Sequence, residues 1–115
     1  MSSNVKLQRI NSDILKILTV AIQQKMGEEN FDGIIILRAE TSADLSECKV
    51  FYSASGDKAQ AQEALEKSSG FLRNEIAQSI SMKHTPRLRF FLDRGAENAS
   101  RVEELLAQIN SEGKK

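Results

Sequence analysis

The side chains best suited to chemistry in this 115-residue chain are cations rather than nucleophiles. Residues 67 to 94 carry Lys67, Arg73, Lys83, Arg87, Arg89 and Arg94 against Glu75 and Asp93, six cations less two acids, net +4. Residues 1 to 27 carry Lys6, Arg9, Lys16 and Lys25 against Asp13, net +3. Between the two blocks, residues 28 to 66 hold nine acids against Arg38, Lys49 and Lys58, net −6, and the remainder is −1, so the whole chain is neutral. A fold that brought both basic blocks to one face would present a local positive potential, the condition for holding phosphates. The alternative is a solvated surface of mixed sign.

Inside the second basic block, the stretch EKSSGFLRNEI reads as helix on both sides of Gly70, where an interior glycine costs roughly 1 kcal/mol against alanine. The pattern predicts two short helices: Gly70 takes positive φ and ends the first, and Ser68 or Ser69 caps the second. The free N–H groups of that second helix, bracketed by Lys67 and Arg73, form either an anion site or an ordinary helical corner.

Other chemistries lack their parts. There is no Gly-x-Ser-x-Gly elbow and no Walker-type phosphate loop, and one histidine with one cysteine cannot make a cluster of soft metal ligands. No cofactor and no metal are expected. Glu40, Asp44 and Glu47 would serve a hydrolase or isomerase only with a strongly raised pKa in a pocket, and they fall around an expected hairpin turn. Cys48 shares a strand face with Val50 and Tyr52 and reads as a buried structural thiol. His84 either caps carbonyls at a helix end or stacks on a base.

The elements that must position these residues follow from periodicity. Leu7, Ile10, Ile14, Ile17, Leu18 and Ala21 recur at helical spacing after the capping candidates Ser3 and Asn4, with Gly27 as the stop. Ile34 to Leu37 follow Asp32 and Gly33 as a strand buried on both faces, read as the central one. ECKVFYS alternates and should pair antiparallel with it. Asp57 with Gln60 caps a helix whose apolar face is Ala61, Ala64 and Leu65, and Leu72, Ile76 and Ile80 continue as a second stripe that ends before Pro86. PRLRFFLD turns Leu88, Phe90 and Leu92 inward with Arg87 and Arg89 outward. Ser100 with Glu103 caps a last helix carrying Val102, Leu105, Leu106 and Ile109.

The order helix, strand, strand, helix, kink, helix, strand, helix implies an α+β domain, a three-stranded sheet with its helices on one face, over residues 1–110, followed by a short polar tail at 111–115. No apolar run approaches the ~18 residues of a membrane span and no leader pattern opens the chain, so a cytoplasmic protein away from membranes is expected.

Four stretches carry a resemblance: KLQRINSDILKIL, ETSADLSECKVFYS, SSGFLRNEIAQSISMKHTPRLRFFLD and ASRVEELLAQI. Together they resemble the ribosome-binding factor A family, with the fold of a type II KH domain. KH domains clamp a nucleic-acid backbone with a GxxG loop between two helices. This chain has Lys67, Ser68, Ser69 and Gly70 there, and the family it resembles writes a kink Ala-x-Gly at the same place, with Ser68 here in the position of the alanine. The resemblance implies a non-enzymatic, monomeric RNA-binding factor of the small ribosomal subunit and its ribosomal RNA, assisting late maturation and growth in the cold, with no DNA partner. The implied surface is Lys67, Ser68, Ser69, Gly70 and Arg73 at the kink, Lys83 and His84 after it, Arg87 and Arg89 on the third strand, and Lys6 and Arg9 in the first helix. With aromatics at 5%, contact with phosphates and sugars is expected over base stacking. The competing reading is a protein-protein module pairing through ECKVFYS as an exposed edge strand.

Overall fold

The computed structural model describes residues 2–25, 31 and 33–93. Helix α1 (Ser2–Gln24) leads to strands β1 (Ile34–Thr41) and β2 (Glu47–Ala54), then to helices α2 (Lys58–Lys67) and α3 (Ser69–Ser79) and strand β3 (Arg87–Leu92). The last helix expected, with Ser100, Glu103 and the stripe to Ile109, and the tail at 111–115 lie outside the described residues. So does the stop at Gly27. The capping candidates Ser3 and Asn4 fall within α1, which already begins at Ser2.

The sheet runs β1-β2-β3, with β1 and β2 antiparallel and β2 and β3 parallel. A parallel pair cannot close through a tight turn and needs a helical crossover, here α2 and α3. The order corrects one expectation: β2 is central and β1 is an edge. The run IIIL therefore is not covered on both sides; Ile34 and Ile36 face the core while Ile35 and Leu37 stay 60% and 39% exposed. Its continuous apolar character resembles a doubly buried strand, but an edge strand under helices on one face alternates in burial. The same order removes the interaction module built on ECKVFYS, because both edges of β2 are already paired within the sheet.

Inward residues of all three strands, among them Val50, Tyr52, Leu88 and Phe90, meet Ile14 and Leu18 of α1, Leu65 of α2, and Leu72 and Ile76 of α3 in one core. Cys48 is fully buried there, and burial pushes its thiol up, as a structural cysteine requires. The Asn11 side chain accepts from the Thr41 N–H at 2.8 Å and pins α1 to the end of β1. Asp57 caps α2 as its spacing predicts, its carboxylate accepting from Gln60 N–H at 3.0 Å. Gly33 is the left-handed residue that the entry to β1 needs, with φ 78° and its carbonyl accepting from Ser55 N–H at 3.1 Å.

Candidate nucleic-acid interface

The corner between α2 and α3 is built differently from its sequence reading. Ser68, with φ −89° and ψ 0°, is the hinge: its N–H donates to Ala64 O and its carbonyl accepts from Leu72 N–H, so one residue ends α2 and begins α3. Ser68 is buried and makes no side-chain cap. Gly70 lies within α3, has no positive φ, and has open space where a Cβ would stand. The helix thus needs neither its flexibility nor its lack of side chain.

Beside this corner a groove of about 570 Å³ runs along the outer edge of β3, lined by Glu66, Ser69 and Arg73 from the helices and by residues 87–91. The alternation of the strand aims its backbone. Arg87 N–H and Asp93 N–H bond to Ser46 O and Tyr52 O on the β2 side, so the polar groups of residues 88 and 90 turn outward, into the groove. Phe90 O shows the direction by accepting from Gln62 Nε2 at 3.0 Å.

The expected contact residues divide into five situations. Arg87 and Arg89 line the groove from β3, both exposed; Arg89 Nη1 lies 3.8 Å from Glu47 of β2 and its guanidinium 5.4 Å from the Phe91 ring centroid, and Arg87 has no acidic partner among the described residues. Arg73 also lines it, but its Nε and Nη2 donate to Pro86 O and Thr85 O at 3.2 and 3.0 Å, so its guanidinium fixes the loop that enters β3. Lys67 turns back along α2 to Glu63 at 2.9 Å, an exposed i,i+4 pair of little energetic weight. Lys6 and Arg9 line a separate cleft of about 550 Å³ together with Asp13, Ile80 and Met82. Lys83 and His84 are exposed in the loop after α3, beyond its C-cap at Ile80, and that loop leads from the second cleft to the groove. The bracketed anion site of Lys67 and Arg73 is therefore not formed by those two side chains, since each is turned to another partner.

Sequence reasoning missed Glu66, the one acid among the described residues that line the groove. Tyr52, inward on β2, donates to Gln62 Oε1 at 2.5 Å; the Gln62 Nε2 donates to Glu66 Oε1 at 2.9 Å as well as to Phe90 O. Burial, and then the charge of Glu66, push the Tyr52 phenol up, so it stays a donor. The i,i+4 spacing of Gln62 and Glu66 on α2 was the available signal. At the β1–β2 turn the hydroxyls of Ser46 and Ser42 hold Asp44 at about 2, the reverse of the raised value that acid catalysis there would require.

An α+β sheet with a kinked helical crossover, and a groove along the open edge of its third strand, defines a KH-like domain. The chain matches the model of the ribosome-binding factor A family over residues 6–106 and belongs to that family. It is 33% identical over 117 aligned residues to a ribosome-binding factor A of Syntrophomonas wolfei, covering 97% of this chain and 96% of the relative. A Thermotoga maritima structure described as a ribosome binding factor A is 31% identical with a TM-score of 0.64, covering 73% of this chain and 83% of that one. A crystal structure of ribosome-binding factor A from Thermus thermophilus shares the fold at a TM-score of 0.70 and 22% identity, covering 77% and 98%. A Thermus thermophilus ribosome binding factor A fitted into a cryo-EM map of a 30S complex shares it at 0.63 and 23%, covering 72% and 90%.

Proposed function

We propose that this protein is a cytoplasmic, monomeric, non-enzymatic assembly factor that binds the free, immature small ribosomal subunit and assists late maturation of its RNA, including in the cold. The observation that carries the reading is the convergence of Ser69, Arg87 and Arg89 on one groove beside the family's kink. Phosphates lie along this groove, held by the two β3 arginines and the outward strand backbone, with Arg73 fixing the loop and Ser68 the bend. Gly70 leaves the corner bare for close approach of a sugar-phosphate chain. Lys67 exchanges its exposed partner for phosphate, Lys83 and His84 continue the surface, and Lys6 and Arg9 extend it into the second cleft. The membership of a ribosome-binding family and the 30S complex of a protein of the same fold support the small subunit as partner.

Co-sedimentation with free small subunits, large subunits and joined ribosomes over a salt series tests this. Binding confined to free small subunits, falling log-linearly with salt, is expected, and reversing Arg87 and Arg89 to glutamate lowers the slope by at least about 2. Arg73 is left intact in that variant because it holds the loop. Equal binding by the reversed variant would remove the groove as the contact.

A further inference from the structure

Every contact proposed so far for the groove is blind to base identity, yet one of its walls is a carboxylate. Glu66 repels phosphate, and among the described residues it forms no ion pair with Arg73, Arg87 or Arg89. It is held instead by Gln62, which is fixed by the buried Tyr52 hydroxyl and by the backbone of β3. A surface glutamate tolerated by chance would swing toward an arginine or into solvent; this one is braced by a chain of hydrogen bonds that starts in the core. The same Gln62 nitrogen bonds both the carboxylate and Phe90 O, so Glu66 and the open edge of β3 stand on either side of one amide. The N–H of residue 90 turns to that edge too, since both polar groups of a strand residue point the same way.

We propose that Glu66 is a specificity-determining residue that reads the Watson–Crick edge of an unpaired guanine in RNA, a reading that rests on the groove being the RNA site. Guanine presents two adjacent donors, N1–H and N2–H, which match the two oxygens of a carboxylate, and an acceptor, O6, on the same edge for a strand N–H. Cytosine and adenine offer the carboxylate only an exocyclic amine, and uracil only one ring N–H. The arginines hold the flanking phosphates, while Gln62 is a positioning residue that keeps the carboxylate aimed.

The test is fluorescence anisotropy of the full chain with labelled oligouridine octamers carrying G, A, C or U at one central position. The guanine octamer binds about tenfold more tightly than the others. Glu66→Gln removes that preference by weakening the guanine octamer and tightening the other three, because a repulsive charge is lost at the same time. Gln62→Leu lowers the ratio of guanine-octamer to plain-oligouridine affinity, since the carboxylate loses its amide partner, and far-UV circular dichroism checks that both variants fold. A uniform gain with all four octamers in Glu66→Gln would make Glu66 a repulsive charge only. Tight but base-blind binding by the natural chain would overturn the base reading and leave the phosphate groove standing. No binding of any octamer at low salt would overturn both.

Discussion

Replacing Gly70 with alanine separates what the corner needs from what its ligand needs. An alanine Cβ at this position meets no heavy atom within 4 Å beyond its chain neighbours and its own helix backbone, and the backbone is not left-handed, so nothing in the fold opposes the substitution. Helix propensity favours alanine by up to about 1 kcal/mol, and a smaller set of unfolded conformations adds in the same direction. Gly70 is the second residue of α3, in the first turn, where only part of the propensity difference is realised. The expected gain is about 0.5 kcal/mol, a rise of roughly 2 to 4 °C in melting temperature for a domain this size. Urea denaturation with a constant m-value measures it. On the proposed contact, small-subunit binding moves the opposite way: the new methyl would stand in the way of the sugar-phosphate chain, and affinity falls about tenfold, near 1.4 kcal/mol. A loss of stability above about 1 kcal/mol would show that the corner itself requires glycine. Unchanged affinity in a stabilised variant would show that RNA does not approach Gly70.

Gly33→Ala should cost about 1 to 3 kcal/mol in chemical denaturation, because φ is 78° and the added carbon strikes the Ser55 side chain. Ile76→Ala removes a fully buried side chain at the centre of the core and should cost about 2 to 5 kcal/mol, the spread reflecting how far the site collapses. Arg73→Ala should cost about 1 kcal/mol by the same assay and raise amide exchange at residues 85–87, since two carbonyls lose a charged donor. Asp44 has a folded value of about 2 against an ordinary 3.8, so its contribution to the turn is present above pH 3.8 and is lost as pH falls through 2. A carboxyl NMR titration with its midpoint near 2 checks the sign, and a midpoint near 3.8 would show that the serine hydroxyls do not hold it.

Local order fixed much of the fold at the level of the chain. The 3.6 period of Ile10, Ile14 and Leu18 needs only its own helix to be legible, the Asp57 and Gln60 cap spans one turn, and the inward set Leu88 and Phe90 follows from two-residue alternation. The kink is visible as a break, but its hinge is Ser68 rather than the glycine that marks it. Glycine is the usual signal, whereas here a buried serine bends without a left-handed residue.

Strand order, by contrast, is a non-local property. IIIL is apolar enough for either a central or an edge strand, and only the parallel pairing of β3 with β2, brought about by the α2–α3 crossover, decides that β1 is outermost. The destination of each cation is equally non-local, for a long flexible side chain goes to whatever acceptor the tertiary structure places in reach. Lys67 meets Glu63 one turn back, Arg73 meets carbonyls 12 and 13 residues on, and Lys6 and Arg9 face a different cleft from Arg87 and Arg89. Sequence alone therefore determined that the chain carries two basic blocks on an α+β frame. The tertiary structure decided which of those charges share a groove, and that a braced glutamate shares it with them, because hydrogen bonds among Tyr52, Gln62, Glu66 and Phe90 join β2, α2 and β3 only once the three have packed.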